Sequence, residues 1–211
     1  MKSKKIFKAT FLVMVITIAS RFLGLIRDSL VAYYFGAGAI TDAYKAAVMV
    51  PETLFTIIGL GVSTVFIPML SKIRYRDSKE KMFEFANNVI GLLIIMSLCI
   101  FVLGNIFTES IVNIIAPGFS KENMELAISL TRISLINLLF MSVNVCFLSM
   151  LQVCEDFVIP SILGMFFNAP IILYLIIFKD VNILGVTIAN VIGNILRVVV
   201  QIPSLYRQGY N

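Results

Sequence analysis

The sequence contains no histidine, and only 14% of its 211 residues are charged. Without histidine, the chain cannot build Ser-His or Cys-His nucleophile pairs, histidine general bases or the commonest zinc sites. The three cysteines, Cys99, Cys146 and Cys154, lie in apolar runs at no metal-ligand spacing, which indicates buried thiols and no metal site. The sequence also lacks a Gly-rich phosphate loop, so ATP-driven chemistry is not indicated. These absences predict a protein that is not an enzyme and uses no cofactor.

The scarcity of charge also excludes an ordinary soluble domain, because soluble chains carry about a quarter charged residues. Hydrophobic residues make up 59% of the sequence, and long uncharged runs exceed the roughly 20 residues needed to cross a bilayer. The net charge of +5 lies mostly at the ends and in one loop, which favours anionic membrane lipid over nucleic acid as a partner. The predicted fold is an all-α, polytopic membrane bundle of about six transmembrane helices, at approximately residues 6–34, 42–71, 83–107, 125–153, 157–178 and 181–203.

The distribution of basic residues predicts the orientation of these helices. Four lysines precede the first helix, five basic residues fill the loop after the second, and Arg207 follows the sixth. The loops on the opposite side contain only Lys121 and Lys179. Positively charged loops stay in the cytoplasm, so a multi-pass protein with both termini cytoplasmic is expected. The N-terminal lysines are Lys2, Lys4, Lys5 and Lys8.

The first predicted helix carries three charges that would lie within the membrane. A charge at bilayer depth costs about 2.5–3.5 kcal/mol on insertion scales, so it normally faces a cavity or a partner. Arg21 and Asp28 fall on one stripe of this helix, whereas Arg27 points about 120° away from Arg21. Arg21 and Arg27 are therefore candidate substrate-binding residues, and Asp28 is a candidate cavity residue. An internal ion pair between Asp28 and an arginine is the alternative interpretation.

The second predicted helix carries a polar stripe at steps of three and four residues. Pro51 lies in its middle and favours a bend, because proline removes a backbone hydrogen bond. A bent helix with a polar face suits one wall of a water-filled transport cavity, with Lys45 and Glu52 as substrate-binding candidates. Asp42 is a candidate cavity or gating residue, or simply the N-cap of the helix. The stripe comprises Asp42, Lys45, Met49, Glu52, Thr56, Gly59 and Ser63.

The sixth predicted helix repeats this pattern with Asn190, Asn194, Arg197 and Gln201. We expect the first three to line or gate the same cavity. The alternative is that the amides bond helices together and that Arg197 extends toward the membrane surface. Guanidinium groups match phosphate oxygens in a two-point fashion, so the constellation predicts a cationic cavity for a phosphate- or pyrophosphate-bearing substrate.

Three segments near the start of the chain are distinctive: SRFLGLIRD at 20–28, YFGAG at 34–38 and TDAY at 41–44, followed by Pro51. Together they closely resemble the opening of the MurJ/MviN family. Weaker matches, FIP at 66–68, APGF at 116–119 and QIP at 201–203, extend the resemblance along the whole chain. Members of this family, within the multidrug/oligosaccharidyl-lipid/polysaccharide exporter group, have two lobes around a cationic cavity and flip lipid-linked peptidoglycan precursor, lipid II, across the bacterial inner membrane.

The resemblance implies the same function here, with a lipid-linked glycan pyrophosphate as substrate. It matches Arg21, Arg27 and Asp42 to family residues in or beside the cavity, and Asp28 to the acid of the same motif. The family's basic pair and glutamate after the second-helix proline are absent, because those positions hold Phe55, Thr56 and Leu60. This departure keeps a flippase for another lipid-linked polysaccharide precursor as an alternative. A membrane scaffold without transport activity is a second alternative.

The length of the chain is the other departure from the family pattern. The family has fourteen helices, whereas this sequence accounts for about six, so residues 1–211 are expected to form only the N-terminal transmembrane lobe. The chain is then either a fragment of a longer protein or a half-transporter that pairs with a second lobe on another chain.

Overall fold

A computed structural model describes residues 2–210, with side chains described from residue 10 onward except at 57, 58, 60 and 63. The N-terminal lysines and Ser63 used in the predictions above, and the side chain at position 60, lie outside these described side chains. Every regular element in the described part of the chain is helical, which confirms the all-α prediction. The helices are α1 (Lys2–Phe35), α2 (Ala39–Gly61), α3 (Ile67–Arg76), α4 (Lys79–Ile106), α5 (Thr108–Ile115), α6 (Lys121–Ser134), α7 (Asn137–Val153), α8 (Val158–Ile177) and α9 (Ile183–Arg207).

Four of these helices are long and apolar enough to cross a membrane. Among the described residues they are Thr10–Phe35 of α1, α4, α8 and α9. The α6–α7 pair meets the same test together, as one span bent by 41°, and brings the count to five. The sequence predicts a sixth span over residues 42–71, where the structure has α2, a π-helical turn at Val62–Phe66 and then α3. Since side chains in that stretch lie outside the described set, the sixth span remains a prediction.

Local sequence explains where several helices begin and end. Ser78 and Ser120 accept hydrogen bonds from the backbone N–H groups of Lys81 and Asn123, so they cap α4 and α6. Asn182 caps α9 in the same way through Gly185. The chain turns between α1 and α2 at Gly36, whose φ of +73° lies in the left-handed region that glycine adopts readily.

One end of the bundle holds the largest apolar cluster. It joins α3, α4, α7 and the end of α9, and we call it the α4–α7 core; its fully buried members include Leu70, Met82, Met150, Leu151 and Leu205. The chain after α9 folds back onto this core. There the hydroxyl of Tyr210 lies 2.5 Å from Asn87 Oδ1, and its ring packs edge-on against Phe83 and Phe147.

Close helix contacts place α8 between α1 and α9. A Cβ at Gly193 of α9 would lie 2.5 Å from the Phe167 carbonyl oxygen, so only glycine lets α9 approach α8 this closely. A Cβ at Gly164 of α8 would overlap the hydroxyl of Ser20 on α1. These two contacts fix the middle of α8 against both neighbours, and that segment forms one wall of the site described next.

Candidate functional site

A cavity of about 360 Å³ lies among α1, α2, α8 and α9. A smaller cavity of about 50 Å³ adjoins it, because both are lined by Val48, Glu52, Phe167 and Asn190. We call the two together the cationic cavity, for the charged residues that line it: Arg27, Asp28, Lys45, Glu52 and Arg197. Three positive and two negative side chains leave this lining with an excess of one positive charge.

Arg27 is held at the cavity wall by two neighbours. Its Nη2 lies 2.8 Å from Asp28 Oδ1, and its Nη1 donates a 3.0 Å hydrogen bond to Asn168 Oδ1 on α8. Asp28 is exposed on 65% of its side chain, whereas Arg27 is exposed on 24%. An ion pair with such an exposed acid is worth little, about 0–1 kcal/mol, so Arg27 can exchange Asp28 for another anion at low cost.

Arg197 enters the cavity from the opposite helix, α9. Its guanidinium carbon lies 4.0 Å from the centroid of the Phe167 ring, and its Nη1 donates a 3.4 Å hydrogen bond to Asn194 Oδ1. The guanidinium carbon of Arg27 lies 5.6 Å from the same ring. Two cations from two helices therefore share one aromatic ring, which is itself almost fully buried.

The remaining charged residues lie on α2. Lys45 and Glu52 are both exposed toward the larger cavity, and Glu52 also lines the smaller one beside Arg197. Among the described residues the pair Arg27–Asp28 is the sole ion pair, so Lys45 and Arg197 have no carboxylate within ion-pair distance. Because the lining carries one positive charge in excess, the cavity favours an anionic guest.

Buried amides form the floor of the smaller cavity. Asn137 of α7 donates a 3.0 Å hydrogen bond from Nδ2 to Asn190 Oδ1 on α9. The Oδ1 atom of Asn137 is buried and has no hydrogen-bond partner, so it can accept a bond from a water or a ligand in this cavity. Further along α9, Gln201 donates to Asn144 Oδ1 at 2.9 Å and holds α7 against α9.

The structure brings most of the predicted site residues together. The cationic cavity is lined by Arg27, Asp28, Lys45, Glu52, Asn190, Asn194 and Arg197, all of which the sequence singled out. Arg21 and Asp42 are exposed and line neither cavity. Asp42 lies in the first turn of α2, where its negative charge interacts favourably with the positive end of the helix dipole.

Two aromatic lining residues were not identified as site residues from the sequence. Tyr44 and Phe167 are aromatic residues within helical stretches, and such residues are ordinarily core or lipid-facing. For Tyr44 the signal was available, because it follows Asp42 and precedes Lys45 within one turn of the polar stripe. For Phe167 the only signal was its neighbour Asn168, a polar residue inside an otherwise apolar run.

Comparison with known proteins gives a consistent result along the chain. The family model described as "Lipid II flippase MurJ" matches residues 31–211. A probable lipid II flippase MurJ from Aquifex aeolicus (strain VF5) is 31% identical over 206 residues, covering 96% of this chain and 41% of the relative. The lipid II flippase MurJ of Thermosipho africanus (strain TCF52B) is 31% identical over 203 residues, covering 96% and 42%.

A solved structure shows the same arrangement of helices. It is described as lipid II flippase MurJ in an inward closed conformation, and it matches with a TM-score of 0.73 and 30% sequence identity. The match covers 93% of this chain and 42% of the solved one. The chain thus spans about two fifths of the length of the proteins it matches.

Proposed function

The chain belongs to the MurJ family of lipid II flippases, and from that premise we propose that it forms the N-terminal lobe of such a flippase. The complete flippase moves a lipid-linked peptidoglycan precursor, lipid II, from the inner to the outer leaflet of the bacterial cytoplasmic membrane. This lobe supplies one wall of the transport pathway, and a second lobe supplies the other. Both termini of the lobe lie in the cytoplasm, where its basic loops favour them.

The observation that carries this proposal is the cationic cavity. Arg27, Lys45 and Arg197 converge on it from α1, α2 and α9, and only Arg27 has an acidic partner among the described residues. The pyrophosphate of a lipid-linked sugar is a doubly charged anion, and arginine binds phosphate oxygens through two parallel N–H donors. In this proposal Arg27, Lys45 and Arg197 bind the pyrophosphate, with Arg21 as a further contact outside the described cavities.

The acids and amides of the cavity have a different role in this mechanism. When the cavity is empty, Asp28 pairs with Arg27, and Glu52 offsets part of the charge of Arg197. When pyrophosphate enters, it replaces Asp28 as the partner of Arg27. Asn190 and Asn194 hold the floor in place. Asp42 lies at the start of α2, where movement of that helix opens or closes the cavity. An ion gradient or the membrane potential supplies the driving force.

The experiment measures where the precursor resides in the membrane. In cells of origin depleted of the protein, we expect lipid-linked precursor to accumulate on the inner leaflet, out of reach of a membrane-impermeant degrading enzyme added outside. Re-expression of the wild type restores access, whereas the double variant Arg27→Ala/Arg197→Ala does not, at equal membrane levels. Arg132→Ala is the matched control, because Arg132 is an exposed arginine that lines neither part of the cationic cavity.

Three results would overturn the proposal in whole or in part. An unchanged leaflet distribution after depletion would indicate a scaffold without transport. Normal access in cells that express only the double variant would show that the cavity cations do not bind the substrate. Accumulation of a different lipid-linked saccharide would replace lipid II as the cargo.

A further inference from the structure

We propose that Phe167 and Asn168 of α8 are positioning residues that hold Arg27 and Arg197 as a pair, so that both guanidinium groups bind one diphosphate. This inference rests on the proposed function, in which the two arginines bind pyrophosphate. It adds a specificity: the pair prefers a diphosphate-linked lipid over a monophosphate-linked one. Neither Phe167 nor Asn168 needs to touch the substrate.

The Phe167 ring allows two like charges to stay close together. The face of an aromatic ring carries negative charge density and attracts cations, most strongly when water is excluded. The guanidinium carbons of Arg197 and Arg27 lie 4.0 Å and 5.6 Å from its centroid. Since the two arginines repel each other, their attraction to the same ring offsets part of that repulsion and keeps both side chains in the cavity while it is empty.

Asn168 fixes the direction of Arg27. Its Oδ1 accepts a 3.0 Å hydrogen bond from Arg27 Nη1, and its Nδ2 donates to the Gly164 carbonyl at 2.8 Å and the Ser20 carbonyl at 3.4 Å. The amide is therefore oriented by the backbone of both α1 and α8. Because Asn168 is buried, leaving its oxygen unpaired is costly, and Arg27 is kept as its partner.

The position of α8 itself is fixed by close backbone contacts. Glycine at 193 lets α9 pack against the backbone of Phe167, and Arg197 follows Gly193 by one helical turn on the same face. Glycine at 164 lets α1 approach the turn that precedes Asn168. Phe167 and Asn168 therefore lie where α8 packs against both α1 and α9, the two helices that carry the arginines.

A pair that is held before the substrate arrives distinguishes ligands by their number of phosphates. A diphosphate engages both guanidinium groups and gains from their fixed spacing, because little further ordering is needed on binding. A monophosphate engages one group and gains little from the pair. Loss of the ring should therefore weaken diphosphate binding more than monophosphate binding.

The test compares two probes on the complete flippase that contains this lobe, reconstituted in lipid nanodiscs: a short-chain polyprenyl diphosphate and the matching monophosphate. We expect Phe167→Leu to lower diphosphate affinity about tenfold, because both guanidinium side chains must then be ordered on binding, and monophosphate affinity by less than threefold, because only one must be. Phe167→Trp should keep the wild-type ratio of diphosphate affinity to monophosphate affinity, because tryptophan retains an aromatic ring. Asn168→Ala should lower the ratio in the same direction.

Phe166→Leu is the matched control, since Phe166 is the adjacent residue of the same type but is exposed and lines neither part of the cationic cavity. Its ratio should equal that of the wild type. If Phe167→Leu lowers thermal stability yet leaves the ratio unchanged, the residue is merely packing and the inference is wrong. If Arg27→Ala/Arg197→Ala binds the diphosphate as well as the wild type, or if the wild type binds neither probe, the proposed function itself fails.

Discussion

The cationic cavity and the α4–α7 core are built by different means, although they belong to one helix bundle. In the core, apolar side chains such as Leu151 and Met150 are fully buried and pack by shape. At the cavity, partly buried arginines are held by a few polar contacts and a shared ring. The core therefore stabilises the lobe, whereas the partly buried charges of the cavity lower its stability but remain available to bind a ligand.

This contrast predicts that a change in one region leaves the property of the other intact. Variants of the core should unfold more easily but transport normally while folded. Variants around the cavity should fold normally and transport poorly. Three substitutions test the comparison in order of decreasing expected effect on stability.

Leu151→Ala should have the largest effect, lowering the free energy of unfolding by about 2–5 kcal/mol, because it removes a fully buried side chain and leaves a void. Chemical unfolding in detergent followed by circular dichroism measures the change. Leu173→Ala, at an exposed position on α8, serves as the control. Transport per folded molecule should match the wild type; a loss as large as that of Arg197→Ala would contradict the separation of the two regions.

Asp156→Ala should have an intermediate effect of about 1 kcal/mol, typical of a lost helix cap. Its Oδ1 accepts from the Val158 N–H at 3.1 Å, and its Oδ2 accepts from the Ser204 hydroxyl at 2.5 Å, so it joins the start of α8 to α9. Ser204→Ala, which removes only the second bond, should cost less. Equal melting temperatures for Asp156→Ala and the wild type would show that this junction adds no stability.

Arg21→Ala should change stability least, because its side chain is exposed and the described residues give it no ion pair. The resemblance to the family makes Arg21 a substrate contact, whereas the structure places it outside the cationic cavity. We expect Arg27→Ala to lower transport at least tenfold and Arg21→Ala to lower it less than threefold, measured at equal membrane levels. Equal losses would extend the binding surface along α1 beyond the cavity.

The sequence could predict the helical fold because hydrophobic runs longer than the bilayer leave few alternatives to a helix. The break between α6 and α7 was not predicted. No proline or glycine lies between Ser134 and Asn137, and the bend of 41° arises where backbone bonds tighten to a three-residue spacing, as from Ile136 to Ile133. Such a change in backbone bonding depends on tertiary packing and leaves no local signal.

The charged part of the site could be predicted for a related reason. A charge in an apolar helix is expensive, so Arg27, Lys45, Glu52 and Arg197 stood out without any structural information. Their mutual arrangement could not be predicted, since it depends on Phe167, an aromatic residue that is ordinary in this composition. Residue type reveals which groups need a partner, but packing between distant helices decides which partner they receive.

The π-helical turn at Val62–Phe66 allows one continuous helical segment to contribute to both the cationic cavity and the α4–α7 core. A π turn holds about one residue more than an α turn, so the helical faces before and after it are out of phase. Along α2 the face bearing Lys45 and Glu52 lines the cavity, whereas Phe66 at the end of the turn and Leu70 beyond it enter the apolar core. An uninterrupted helix would carry a single stripe from end to end. The extra residue in the turn rotates the following side chains about the helix axis, so that the two ends of the helical segment point their stripes in different directions.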